Sequence, residues 1–191
     1  MTEGLDAERA RLFALLGRLL AAPPDADLLA RLAALQGDDT PLGRGIAGLA
    51  RAAAEAQPAA VEREFFDLFI GVGRGELMPY ASYYLTGFLH ERPLADLRGD
   101  LRRLGVERAP DVPEPEDHIA FECETLSGLI SGSFPAGEGQ AGAFFTRHLR
   151  PWAGRFFADL EGASAARFYR AVGALGRTAI EIEQAAAELP P

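Results

Sequence analysis

Lysine is missing from this chain: each of its 19 basic residues is arginine. That removes the phosphate-gripping lysine of a P-loop and the amine of a Schiff-base enzyme. A single cysteine, Cys123, excludes an internal disulfide, and three histidines (His90, His118, His148) leave little material for a zinc site. The single cysteine fits a reducing compartment. No window approaches the roughly 18 uninterrupted apolar residues of a membrane span. The N-terminal stretch MTEGLDAERARLFALLGRLLAAPP is hydrophobic in part, but acids precede its apolar run and Arg18 interrupts it, which favours an amphipathic helix over an export signal. Basic charge is also short overall. The net charge is −9 and the pI about 4.9, the opposite of what a nucleic-acid or anionic-membrane binder needs. An acidic surface suits a basic partner.

What the chain does have is apolar residues at helical spacing. With 191 residues, 48% of them hydrophobic, it is long enough to bury a real core and short enough that one domain spanning 1–191 is the expectation. Leu12, Leu15, Leu16 and Leu19 fall at i, i+3, i+4, i+7 before Pro23-Pro24. Leu28, Leu29, Leu32 and Leu35 form a second stripe. Thr40-Pro41 supplies an N-cap and a first-turn proline ahead of Leu42, Ile46 and Leu49. Val61, Phe65, Leu68 and Phe69 follow Gln57-Pro58 and end in the glycines of GVGRGE. The aromatic run Tyr80 to Leu89 is ambiguous between helix and strand, with helix preferred. Leu94, Leu97, Leu101 and Leu104 are closed by Gly105. Leu126, Leu129 and Ile130 mark a further helix, and Phe144 to Leu160 keep helical spacing through Pro151, where the chain must kink or restart. Ser164 is the expected cap of a last helix striped by Phe168, Val172, Leu175, Ala179 and Ile182. The fold class predicted is all-α, a single bundle of about nine helices. The proline-rich connection at 106–116 is a candidate hinge within it.

Two stretches invite a chemical interpretation. From Asp111 to Glu124 there are six acids (Asp111, Glu114, Glu116, Asp117, Glu122, Glu124) and no arginine, so the local field should be negative. An ordinary explanation exists, because carboxylates in a first helical turn complement the helix dipole and Asp117 suits an N-cap. Asp117, His118 and Glu122 also make a conceivable metal cluster, although a second histidine or a cysteine at ligand spacing is lacking. Cys123 is expected to be a buried small residue. The second stretch, Gly71 to Gly75, has the glycines of a nucleotide loop without the GxGxxG spacing or a preceding strand. It leads into Leu77-Met78-Pro79-Tyr80-Ala81-Ser82-Tyr83-Tyr84, where three tyrosines and a proline suit either an apolar groove for an extended peptide or core packing. Peptide binding and a metal- or nucleotide-dependent enzyme thus stand as alternatives from different classes.

Three strings taken together, EFFDLFIGVGRGELMPYASYYL, EPEDHIAFECETLSGLISG and FFTRHLRPWAGRFFADL, resemble the TorD/DmsD/NarJ family of redox-enzyme maturation chaperones in order and spacing. Departures are Val72 where a proline is common, Met78 where a second proline often precedes Pro79, and Cys123 in place of a leucine. The resemblance implies an all-helical cytoplasmic chaperone that is not an enzyme and needs no cofactor. It also implies binding of the twin-arginine signal peptide or N-terminus of an immature molybdoenzyme catalytic subunit, and a homodimer formed by exchange of helical segments. The positions it points to for peptide binding are Phe65, Leu68 and Phe69, then Pro79, Tyr80, Ser82 and Tyr84, then Glu114, Asp117 and His118. The physical chemistry agrees, since paired arginines followed by an apolar stretch call for carboxylates beside an aromatic groove.

Overall fold

The structure, a computed structural model, describes residues 2–110, 112–134 and 137–188. Asp111, counted above in the acidic stretch, lies outside the described residues. Ten α-helices follow one another: α1 (Thr2–Ala21), α2 (Ala26–Ala33), α3 (Pro41–Glu55), α4 (Pro58–Phe65), α5 (Ala81–Thr86), α6 (Arg92–Leu104), α7 (Ile119–Ser131), α8 (Gln140–Phe144), α9 (Ala153–Gly162) and α10 (Phe168–Ala187). Among the described residues, β structure is confined to one isolated antiparallel bridge, Tyr80 with His118. The chain is all-α, and the restart at Pro151 accounts for the helix beyond the expected nine.

Local signals place most of the boundaries. Thr40 accepts a hydrogen bond from the Gly43 amide at 3.0 Å with Pro41 in the first turn, and Gly105 closes α6 at φ 68°. Two helices end in a wider turn than the stripes foretell. α4 runs into a π turn over Phe66–Ile70 and α8 into one over Phe145–Leu149. Each is closed by an i to i+5 bond, Gly71 N–H to Phe66 O at 2.7 Å and Arg150 N–H to Phe145 O at 2.8 Å. The expectation for Ser164 is corrected: it lies outside α10, at whose start the amides of Arg167, Phe168 and Tyr169 all donate to the Glu64 carboxylate at 2.7–3.1 Å. A carboxylate over a hundred residues away in sequence thus does the work of a local cap.

The helices group into two compact units, each described by itself. The first comprises Met1–Ala21, Pro79–Ala153 and Ala187–Pro191; the second comprises Ala22–Met78 and Gly154–Ala186. In the first unit α1 packs along α7, burying Phe13, Leu16 and Leu20 with Ile119, Cys123 and Leu126. Each such side chain contributes roughly 1.5–3 kcal/mol on leaving water. Gly17 sets how close the two helices come, because a Cβ there would lie 2.7 Å from the Glu124 Cγ. In the second unit Gly173 and Gly176 do the same between α10 and α9: a Cβ at Gly176 would meet the Phe157 ring at 2.2 Å. The candidate hinge at 106–116 falls inside the first unit.

Candidate functional site

The two halves of the motif-bearing sequence meet at the bridge. Ala81 N–H donates to Asp117 O and Ile119 N–H to Pro79 O, both at 2.9 Å, so the entries to α5 and α7 are tied by backbone. Side chains reinforce the tie. Asp117 turns away from its own helix and accepts through Oδ2 from the Ser82 amide at 2.9 Å and from the Ser82 hydroxyl. Asp117 is therefore a cap of α5 and not of α7, correcting the local expectation. α7 is capped by His118, whose Nδ1 accepts from the Ala120 amide at 3.1 Å. The Tyr80 hydroxyl donates to the Glu114 carboxylate, and the Tyr80 ring meets the His118 ring edge-on at 5.2 Å.

Of the ten residues indicated by sequence, seven come together here: Pro79, Tyr80, Ser82, Tyr84, Glu114, Asp117 and His118. Their exposure differs. Ser82 and Asp117 are almost completely buried and His118 is 7% exposed, whereas Glu114 is exposed and Tyr80 and Tyr84 are half-buried. The solvent thus meets a tyrosine and a carboxylate, held from behind by an aspartate, a serine and a histidine. The other three, Phe65, Leu68 and Phe69, belong to the second unit. There Phe65 and Phe69 form an edge-to-face cluster with Tyr169 at 5.0–5.8 Å and Leu68 is fully buried.

The electrostatics are more balanced than the arginine-free stretch suggested. Glu116 receives the Arg98 Nε at 2.8 Å, and Arg108 stands 3.8 Å away. Burial pushes the Glu116 carboxyl up, but the bond and field of Arg98, with Arg108 behind it, hold it below the usual range. Burial lowers His118 to about 4 despite the fields of Glu114 and Asp117; the ring is neutral near pH 7. With Nδ1 accepting, its proton resides on Nε2. Burial first, then Glu114, raises the Tyr80 phenol above its ordinary value, which keeps it a hydrogen-bond donor.

Below this layer lies a network that sequence reasoning did not foresee, Glu122 having been considered only as a metal ligand. Glu122 is fully buried, accepts from the Trp152 indole N–H at 3.2 Å, and is pushed well above the carboxylate range by burial. Trp152 in turn packs 5.5 Å from Tyr84. Asp117 Oδ1 and Glu122 Oε1 are each buried without a hydrogen-bond partner, an uncommon state for native polar atoms. Only the large size of the one tryptophan in the chain hinted at this layer.

The alternatives can be set against this geometry. Among the described residues no group of three or more His, Cys, Asp or Glu side chains gathers to hold a metal ion; Asp117, His118 and Glu122 turn to Ser82, Ala120 and Trp152. Burial raises the Cys123 thiol well above its usual value, so it is not a thiolate nucleophile. The Gly71–Gly75 loop folds back on the π turn, with the Glu76 and Leu77 amides bonded to Asp67 O and Leu68 O at 3.0 and 2.8 Å. Gly71 is required there: at φ 61°, a Cβ would lie 2.0 Å from Arg74 O. Among the described residues no helix is long and apolar enough to cross a membrane.

Comparison with known proteins adds the decisive observation: the family model described as nitrate reductase delta subunit matches residues 35–158. The chain belongs to that family, the TorD/NarJ family. Within it, the chain is 30% identical over 130 residues to a chaperone protein TorD of Aliivibrio fischeri, covering 63% of this chain and 60% of that one. It is 33% identical over 98 residues to a chaperone protein TorD of Vibrio cholerae, covering 47% and 44%. The chain thus spans about 60% of the length of the first of these TorD/NarJ relatives. Its fold is similar to a crystal structure described as that of a redox enzyme maturation protein from Archaeoglobus fulgidus, with TM-score 0.61, 22% identity, and coverage of 91% of this chain and 93% of the other.

Proposed function

We propose that the protein is a redox-enzyme maturation chaperone, not itself an enzyme, that binds a basic-then-apolar segment of an immature molybdenum oxidoreductase in the cytoplasm. That segment is the twin-arginine signal peptide or N-terminus of the catalytic subunit, held before cofactor insertion. The observation that supports this reading is the bridge between Tyr80 and His118, beside which the Tyr80 hydroxyl donates to the exposed Glu114 carboxylate and keeps phenol and carboxylate side by side. Preorganised groups lose little entropy on binding. A guanidinium can take the Glu114 carboxylate in a charge-assisted bond while Tyr80 and Tyr84 give apolar contact. Family membership and the names of the TorD relatives support the same reading.

The test is calorimetric titration of a synthetic peptide of paired arginines followed by a run of leucine and alanine. Glu114→Gln should weaken binding by roughly ten- to a hundredfold, the worth of one charge-assisted bond, and leave the melting temperature within a degree or two of the parent. Unchanged affinity in that variant would refute the assignment. The whole chain is further proposed to unfold as one domain and to form a homodimer by exchanging helices through the 106–116 connection. Two separate melting transitions, or a monomer at every concentration in size-exclusion chromatography, would speak against these points.

A further inference from the structure

Glu114 and His118 have a second environment. Besides flanking the bridge, they line a cavity of about 460 Å3 formed within the first unit by the end of α1, residues 106–109 and 112–114, the first two turns of α7 and Phe134. Its size is that of a small-ligand pocket. The walls are apolar, made by Val106, Val112, Phe121 and Phe134, and three carboxylates, Glu107, Glu114 and Glu124, join them. Among the described residues no arginine lines it. Burial raises the Glu124 carboxyl and the field of Arg18 opposes it; the Arg108 guanidinium reaches the Val112 carbonyl at the wall and is shared with Glu116, so the three carboxylates outnumber the cations near them and the cavity keeps a negative surplus.

The Phe134 wall is built into the fold. Gly128 leaves room for the ring, which a Cβ at that position would meet at 2.3 Å, and the Phe134 amide donates to Gly128 O at 3.2 Å. Because His118 accepts at Nδ1, its Nε2–H is a donor, and His118 is among the residues that line the cavity. Apolar walls, surplus carboxylates and one fixed donor are the complement of a polypeptide segment with a cationic side chain, an apolar neighbour and a free carbonyl.

We propose that this cavity is a distinct subsite that seats one basic side chain of the bound client segment together with the apolar residue beside it, Glu107 and Glu124 facing the cation and Phe121 and Phe134 the apolar side chain. The proposal rests on the chaperone reading above and adds a location that Tyr80 and the bridge do not provide. Specificity for a basic residue then resides in Glu107 and Glu124, two positions outside the EPEDH motif.

The experiment uses two synthetic peptides: paired arginines followed by leucine and alanine, and the same peptide with both arginines replaced by glutamine. Each is titrated calorimetrically into the full chain and into its Glu107→Gln/Glu124→Gln and Phe121→Ala variants, with thermal melts confirming that each variant is folded. The parent should prefer the arginine peptide by roughly tenfold or more. In the double glutamine variant that preference should fall by roughly threefold or more, to what Glu114 supplies, with affinity for the glutamine peptide unchanged. Phe121→Ala should weaken both peptides alike, by roughly three- to tenfold. If the parent shows the preference and the double variant keeps it in full, the subsite is overturned while the chaperone reading stands. Should the parent bind neither peptide, the chaperone reading fails and the subsite with it.

Discussion

The two units anchor distant helix starts with carboxylates, and they do it with different completeness. In the second unit Glu64 offers both oxygens to three amides of α10, and Glu76 offers both of its own to Ser164 and Ala165 at 2.6 and 2.9 Å. In the first unit Asp117 caps α5 with one oxygen and leaves the other buried and unpartnered; Glu122 does likewise beneath it. The histidines are divided unevenly too, all three falling in the first unit. Among the described residues, the buried side-chain atoms left without a hydrogen-bond partner all fall in the first unit. Such local inconsistency concentrates where a fold serves a purpose other than its own stability.

The largest effect that would sharpen this contrast is expected at Glu64. Replacing it by alanine strips three amide donors of a charged acceptor and should cost about 3–4 kcal/mol, lowering the melting temperature by roughly 6–15 °C for a chain of this size. Peptide affinity of the folded fraction should not change. Asp117→Ala is expected next, at about 2–3 kcal/mol, because only one amide and one hydroxyl lose their acceptor and the orphan oxygen leaves with it. That variant should also loosen peptide binding, since Tyr80 sits on the bridge it braces. If chemical denaturation ranked Asp117→Ala above Glu64→Ala, with peptide affinity unmoved, the division of labour between the units would collapse.

Acidity gives a third and smaller handle. His118 in the folded chain titrates near 4, well below the ordinary value of about 6.5, so the unfolded chain binds the additional proton between those limits. Stability from this group is therefore complete above about pH 6.5 and is lost as the pH falls towards 4. The buried Glu122 carboxyl works in the opposite direction, because a raised folded value makes protonation favourable in the native state. A difference measurement separates them: His118→Asn keeps an N-cap acceptor but not the titration. The gap between parent and variant should shift by about 1–2 kcal/mol from pH 6.5 to pH 4.5, against the parent at the lower value. A gap independent of pH would show that the ring does not titrate as its burial implies. Smallest of all, Tyr80→Phe should cost only about 0.5 kcal/mol of stability, because the bond it removes is to an exposed carboxylate.

The same contrast explains what sequence can and cannot show. Stripes such as Leu94, Leu97 and Leu101, all buried, are legible because a helix writes its buried face at a fixed local period. Thr40-Pro41 and Gly105 are legible because caps depend on neighbours within one turn. Glu64 carries no local sign of its role, since its partners lie more than a hundred residues on. Asp117 was legible as a cap but not as the cap of another helix, because its direction depends on the bridge. At the candidate site the motifs named the right neighbourhood, Tyr80 with Glu114 and His118. They missed Trp152 and the cavity walls and offered Glu122 only as a conceivable metal ligand, because the meaning of these residues comes from burial.

Each unit also contains one π turn, over Phe66–Ile70 and Phe145–Leu149. A π turn holds one residue more than the α geometry on either side, so it behaves as a single-residue insertion that the helix absorbed without breaking. Removing one residue from either turn would return the helix to ordinary pitch and rotate everything beyond by about 100°, one residue's share of a 3.6-residue turn. An alignment between relatives with and without the turn should therefore carry a one-residue gap at that point. A copy that lost the residue after Phe65 would keep its helix and present the loop leading to Pro79 in a different direction.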